Sequence, residues 1–492
     1  MTRLEASTGG QVRNYVDGEW VEPEGLDGQS ITNPATGDQL GDVRFTSKDE
    51  VDDAVQTAHD AFLEWRNQPV VERVQPLFRL KQLLESHQEE LAEVLVRDHG
   101  KTLAEARGEL RRGIENVEVA CGIPTMMKGG MVENASRNID ETGIRQPLGV
   151  FTAITPFNFP GMIPLWFLPY AVATGNAFIL KPSEQDPLVP QGLFELIDEA
   201  GFPDGVLQLL NGGADTVNAL IEHPDVMGVS FVGSTPVARH VYQTSAANDK
   251  RVQAQGGAKN HIIVTETADL AFAAEKTLSS SFACAGERCL ANDVVLVEEG
   301  VYEEFVEYVL DAADEQVVGY GLNEQTDIGA LVTPEHEQSV REYIQTGVDE
   351  GAYLLRDGRD VTVPGYEDGN FLGPTIFGTV TEEMVVSREE IFGPVLALAP
   401  VADLDEAIER LNRSEFGNAA SLFTDSGSDA RTFRNRAEAG NLGVNVGTAA
   451  PMAFFHFGGR KDSFFGDLHA QGEDMIYFYT DKDIVIERWP NA

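Results

Sequence analysis

The segment Ser281-Phe282-Ala283-Cys284-Ala285-Gly286-Glu287-Arg288-Cys289-Leu290-Ala291 sets two thiols beside a glycine, an acid and a base. A cysteine thiolate can add to a carbonyl carbon, hold the tetrahedral adduct while hydride departs, and so become a thioester. By itself a free cysteine is more usually a small buried hydrophobe, so the chemistry depends on what else gathers around it. Pro156-Phe157-Asn158-Phe159-Pro160 offers an amide that could donate to a developing oxyanion. Leu180-Lys181-Pro182-Ser183-Glu184 follows an apolar run, where a Lys and a Glu at the carboxyl end of a strand could take ribose hydroxyls. Phe231-Val232-Gly233-Ser234-Thr235-Pro236 runs from a strand into a helix; Gly permits close backbone approach, and the free N–H groups of a first helical turn suit a pyrophosphate. No GxGxxG stands in the usual strand-to-helix place. Taken singly, each motif has a plainer reading: a capped helix at Gly233-Ser234, a loop cap at Asn158, and a surface acid at Glu390 of Glu389-Glu390-Ile391-Phe392-Gly393-Pro394.

The elements that must carry these residues are legible in outline. Ser47-Lys48-Asp49-Glu50 and Thr102-Leu103-Ala104-Glu105 are capping boxes, each opening an amphipathic helix, and Gly100 ends the helix before the second. The chain up to Val119 reads as mainly helical. From Leu148 to Val232 short apolar runs (150–154, 177–180, 206–210, 228–232) alternate with helical stretches, and similar runs return at 294–297, 395–398 and 442–446. This is the texture of βαβ units, and two α/β domains are the economical reading.

The motifs occur in the order, and at intervals similar to those, of the aldehyde dehydrogenase superfamily, which the chain resembles from about Tyr15 to Trp489. The resemblance implies an α/β fold with a Rossmann-type NAD-binding domain (1–127 and 148–256), a catalytic domain (257–455) and a small β flap for oligomerisation (128–147 and 475–489). The boundary near Gly256-Gly257 rests on texture and on the resemblance. It further implies Cys289 as the nucleophile, and Asn158 with the Cys289 backbone N–H as oxyanion donors. Phe157, Lys181, Glu184, Gly233, Ser234, Glu390 and Phe392 would line the cofactor: Lys181 and Glu184 at the adenosine ribose, Gly233 and Ser234 at the pyrophosphate, Glu390 and Phe392 at the nicotinamide ribose and ring. A carboxylate at the ribose repels a 2′-phosphate, so Glu184 favours NAD over NADP.

One departure changes the expected chemistry. Hydrolytic members carry a Glu general base in an ELGGK-like segment, and here Gln255 of Gln255-Gly256-Gly257-Ala258-Lys259 stands in its place. An amide takes no proton at neutral pH, so water attack on a thioester should be poor, and a thiol such as coenzyme A is the better acceptor. Gly257-Ala258-Lys259-Asn260-His261, Gly286-Glu287-Arg288-Cys289 and Ser463-Phe464-Phe465-Gly466-Asp467 resemble the CoA-acylating methylmalonate-semialdehyde dehydrogenase branch. In that branch two arginines hold a substrate carboxylate, and they map onto Arg288 and Arg112. Periodicity argues against Arg112, because Ala106, Leu110 and Val117 define an apolar stripe that leaves it on another, ordinarily solvated face. His456 and Arg460 depart from the branch and leave the acyl substrate open. The expected reaction is oxidation of methylmalonate or malonate semialdehyde with decarboxylation and acyl transfer to CoA; the alternative is an NAD-dependent dehydrogenase releasing a free acid. A non-catalytic scaffold is disfavoured by the retention of both Cys289 and Asn158.

Charge sets the setting. Of 492 residues 80 are Asp or Glu and 36 Lys or Arg, a net −44 spread along the whole chain. Nucleic acid is excluded as a partner, and the balance resembles proteins of salt-accumulating cytoplasms. No run approaches the ~20 apolar residues of a membrane span, the polar stretch from Met1 to Gln11 has no signal layout, and three cysteines (Cys121, Cys284, Cys289) form neither an even disulfide framework nor a CxxC metal pattern. A cytoplasmic enzyme without metal is expected, as a homodimer or homotetramer.

Overall fold

The computed structural model describes residues 10–489; most of the polar amino-terminal stretch lies outside them. Two sheets dominate. The first has eight strands in the order Phe464–Gly466, Arg251–Gln255, Val226–Val232, Val150–Ile154, Ala177–Lys181, Leu207–Leu209, Asn14–Val16 and Glu19–Val21. Its five central strands are parallel and its edges antiparallel. Val150–Ile154 and Ala177–Lys181 are buried at every position, as parallel strands covered on both faces by helices must be. The second sheet runs Tyr353–Arg356, Thr375–Gly378, Val395–Val401, Asn292–Glu298, Asn260–Val264, Ala419–Phe423 and Asn441–Val444, parallel except at its first pair. The chain passes from one sheet to the other between Gln255 and Asn260.

Both capping boxes form. Ser47 and Thr102 each accept from the N–H three residues on, while Glu50 and Glu105 reach back to the cap N–H. Gly100 closes the preceding helix in the left-handed region at φ 102°, where a β-carbon would be strained. The opening of the chain differs from the helical expectation: Gln11–Val12, Gly28–Thr32 and Gln39–Arg44 make a small sheet of their own before the first helix.

A third sheet pairs Met131–Ser136, Ile139–Pro147 and Thr480–Glu487, all antiparallel. The run Met475-Ile476-Tyr477-Phe478-Tyr479, expected as a strand, is instead within a short helix, Asp474–Tyr479. Its apolar residues do not alternate between faces: Met475, Ile476, Phe478 and Tyr479 are all buried, and Met475, Phe478 and Tyr479 join the core that packs on the first sheet.

Candidate active site between the two sheets

The helix Leu103–Cys121 buries Leu103, Ala106, Leu110, Ile114 and Val117 and so presses against the loop that carries Asn158. Contact is close because Gly113 and Gly161 meet there; a β-carbon on either would run into the opposite segment. A buried ion pair fixes the loop further. Lys101 Nζ lies 2.6 Å from Glu109 Oε2 and donates to the Asn158 carbonyl at 2.7 Å, while Glu109 Oε1 accepts from the N–H groups of Gly161 and Met162. The Asn158 side chain is buried. Its Nδ2 donates to the Glu287 carbonyl at 3.1 Å, which leaves the second amide hydrogen available to a ligand.

The loop that carries Cys284 and Cys289 arrives from the other side in an unusual conformation. Cys284, Ala285 and Gly286 take φ of 52°, 53° and 81°, successive left-handed residues of which only the glycine is at ease. Gly286 lies against the backbone of Gly393, with no room for a side chain. Glu105, already the capping residue of its helix, also accepts from the Cys284 N–H at 2.5 Å. The Cys289 carbonyl is held by Asn260 Nδ2 at 2.9 Å and Asn418 Nδ2 at 2.7 Å. Burial pushes the Cys289 thiol up to about 12, and the Glu390 charge adds to this while Arg288 opposes it. Cys284 is fully buried, its thiol also pushed up to about 12.

Cys289 opens into a cavity of about 510 Å³ walled by Phe159, Trp166 and Phe457, with Arg112 and Arg288 in its lining. The structure therefore corrects the periodicity argument: Arg112, off the apolar stripe, faces this cavity because the 448–451 segment covers that side of the helix. Arg112 pairs with Glu115 at 2.9 Å and donates to the Pro451 carbonyl.

A second groove, of about 500 Å³, runs along the carboxyl ends of the first sheet and is lined by Phe157, Lys181, Glu184, Gly233 and Ser234. Lys181 Nζ pairs with Glu184 Oε2 at 2.8 Å. The helix Thr235–Ala247 begins here, and Ser234 stands at its N-cap without a side-chain capping bond, so first-turn N–H groups remain for an anion. Thr235 Oγ1 is otherwise engaged, accepting from the Gly257 N–H at 2.8 Å and donating to the Asp462 carbonyl at 3.2 Å. Glu390 accepts from the Ala258 N–H at 2.9 Å, and burial pushes its carboxyl up to about 8. Phe392 meets Phe157 edge-on, ring centroids 5.8 Å apart. Gln255 ends its strand buried, with neither side-chain amide atom hydrogen-bonded, and lines neither the cavity nor the groove.

The aldehyde dehydrogenase family profile matches residues 20–485. The chain belongs to the aldehyde dehydrogenase family. It is 47% identical over 479 residues to a malonate-semialdehyde dehydrogenase of Bacillus pumilus (strain SAFR-032), covering 97% of this chain and 98% of that one. It is 48% identical over 479 residues to malonate-semialdehyde dehydrogenase 2 of Geobacillus kaustophilus (strain HTA426), covering 97% and 99%. Among solved structures, a methylmalonate-semialdehyde dehydrogenase from Oceanimonas doudoroffii superposes with a TM-score of 0.97 at 41% identity, over 98% of this chain and 99% of that one. The NAD complex of a Sinorhizobium meliloti 1021 protein assigned the same activity does so with a TM-score of 0.96 at 42% identity, over 98% of each.

For a member of this family, the residues that sequence reasoning missed are the supports. Lys101, Glu109, Asn260 and Asn418 each hold a backbone carbonyl or N–H of a motif loop. The capping box marked Glu105 only as a helix start; its second oxygen reaches the Cys284 N–H 179 residues away.

Proposed function

We propose that the chain catalyses the NAD-dependent oxidation of malonate or methylmalonate semialdehyde with loss of the β-carboxylate and acyl transfer to CoA, giving acetyl-CoA or propionyl-CoA. The observation that carries this reading is that Arg112 and Arg288 both line the Cys289 cavity, which suits an aldehyde bearing a carboxylate because a guanidinium can bind it through two parallel N–H bonds. The names of the relatives support the same substrate class.

The groove fits a dinucleotide: an uncapped helix start for the pyrophosphate and the Lys181–Glu184 pair for the adenosine ribose. The family resemblance assigns Glu390 and Phe392 to the nicotinamide end; neither lines the groove itself, and Phe392 adjoins it through its ring contact with Phe157. When bound, NAD supplies the hydride acceptor. Cys289 Sγ, as thiolate, attacks the aldehyde carbon; Asn158 Nδ2 and the Cys289 N–H stabilise the oxyanion of the adduct. Loss of hydride from that carbon leaves a malonyl or methylmalonyl group on Sγ as a thioester; the bond to its β-carboxylate breaks to release CO2, the thioester enolate so formed takes a proton from solvent, and an acetyl or propionyl group remains on Sγ. The CoA thiolate attacks the thioester carbonyl, the bond to Sγ breaks, and Cys289 is regenerated. Gln255 offers no base to water, which favours the thiol acceptor.

The antiparallel sheet of 131–136, 139–147 and 480–487 exposes Met131, Val132, Ile484 and Ile486, which supports pairing of subunits into a dimer or dimer of dimers through its edge. The acidic surface fits a salt-accumulating cytoplasm. The decisive assay follows NADH and acyl product from malonate semialdehyde, propanal and a long-chain aldehyde, each with and without CoA. Selective turnover of the semialdehyde to acetyl-CoA is expected; free acid formed equally well without CoA would replace this reading with a hydrolytic one.

A further inference from the structure

Phe392 takes φ 58°, a left-handed conformation that a bulky aromatic residue avoids unless its surroundings impose it. The imposing contacts are specific. The Phe392 carbonyl accepts from His336 Nε2 at 2.7 Å, and its ring is flanked by Phe157 at 5.8 Å and by the His336 ring at 6.3 Å. His336 is itself fixed from both sides: its N–H is capped by Thr333 Oγ1, and its ring stands 6.1 Å from Phe157.

Glu287 lies on the same Nε2 side of His336. Its Oε1 accepts from the Val332 N–H at 3.1 Å, at the entry to the helix Pro334–Asp349, and sits 3.6 Å from His336 Nε2. Its Oε2 has no partner and faces His99 Nε2, equally buried and unpartnered, at 3.9 Å. The Glu287 backbone carbonyl accepts from Asn158 Nδ2. One residue thus joins the oxyanion side chain, through His336, to Phe392. Donation to a carbonyl requires a hydrogen on Nε2, and burial lowers the His336 pKa, in keeping with a neutral ring in that tautomer.

We propose that His336 is a positioning residue that holds Phe392 in its left-handed conformation and so sets the wall of the site that faces the nicotinamide. This rests on the assignment of Phe392 to that end of the cofactor groove. His336 is not in the lining of the Cys289 cavity, so its loss should affect hydride transfer and spare acylation that needs no cofactor.

Two bursts on the full-length enzyme separate these. The first is NADH formed in a single turnover with saturating NAD and malonate semialdehyde. The second is p-nitrophenolate released when p-nitrophenyl acetate acetylates Cys289 Sγ without NAD. His336→Phe, which keeps a ring and removes the donor, should slow the NADH burst about tenfold and leave the nitrophenolate burst within about twofold, the weight of one buried hydrogen bond. His336→Gln, which restores a donor, should recover most of the lost rate. Bursts that fall together, or an unchanged NADH burst, would overturn the proposal. Phe392→Ala is the control on its premise: if that variant transfers hydride normally, the assignment of Phe392 fails while the chemistry proposed for Cys289 stands.

Discussion

At the scale of single residues, the thiol environment makes a directional prediction. With the Cys289 thiol pushed up to about 12 by burial, the thiolate fraction of the free enzyme between pH 7 and pH 10 is small and grows about tenfold per pH unit. Iodoacetamide labelling of Cys289 should therefore rise steeply across that range, and Cys284→Ala should not change it; a plateau below pH 8 would mean that the free enzyme already holds a thiolate. Arg112→Leu should slow malonate semialdehyde at least about tenfold, the worth of a charge-assisted contact, while sparing propanal, which has no carboxylate. Equal losses on both aldehydes would make Arg112 structural. Cys289, Asn158 and the groove residues were legible because each belongs to a contiguous motif. Lys101, Glu109, Glu287 and His336 were not, since their roles are contacts between segments such as 109 with 161, or 336 with 392, that no local pattern joins.

At the scale of elements, the helix Leu103–Cys121 carries the site on two faces, one buried against the Asn158 loop and one turned to the cavity. Its anchor is the Lys101–Glu109 pair, fully buried at 2.6 Å. Removing one partner strands the other charge, so Lys101→Met or Glu109→Leu should each cost about 3–5 kcal/mol, and the double variant should recover much of the loss. Thermal melts at fixed protein concentration would check this; single losses that simply add in the double variant would mean the two charges act apart. Both capping boxes were readable because a cap is local chemistry. The helix Asp474–Tyr479 was not, because five apolar and aromatic residues suit a strand by composition, and only the core that Met475, Phe478 and Tyr479 enter decides for a helix.

At the scale of the whole molecule, a net −44 sets self-repulsion against packing, and copies that associate add to it. Raising KCl from ~0.1 M to ~1 M shortens the Debye length from about 10 Å to about 3 Å, so melting temperature, activity and light-scattering mass should rise together. Subunits should separate before the domains melt as salt falls. A protein equally stable and assembled at both ends of the series would show that its acidity is merely tolerated. The left-handed run Cys284-Ala285-Gly286 has a consequence for the order in which the molecule comes together. Neither Cys284 nor Ala285 favours that shape on its own, and the restraints on it come from Glu105 on the other half of the site and from the Gly393 backbone. The conformation of the loop that carries Cys284 and Cys289 is thus a product of docking and not of local folding. During refolding, helices and the buried Trp65, whose indole N–H is held by the Val172 carbonyl, should reach their native signals while Cys289 still reacts like a thiol on a loose chain, and catalytic competence should arrive last, when the two halves close on each other.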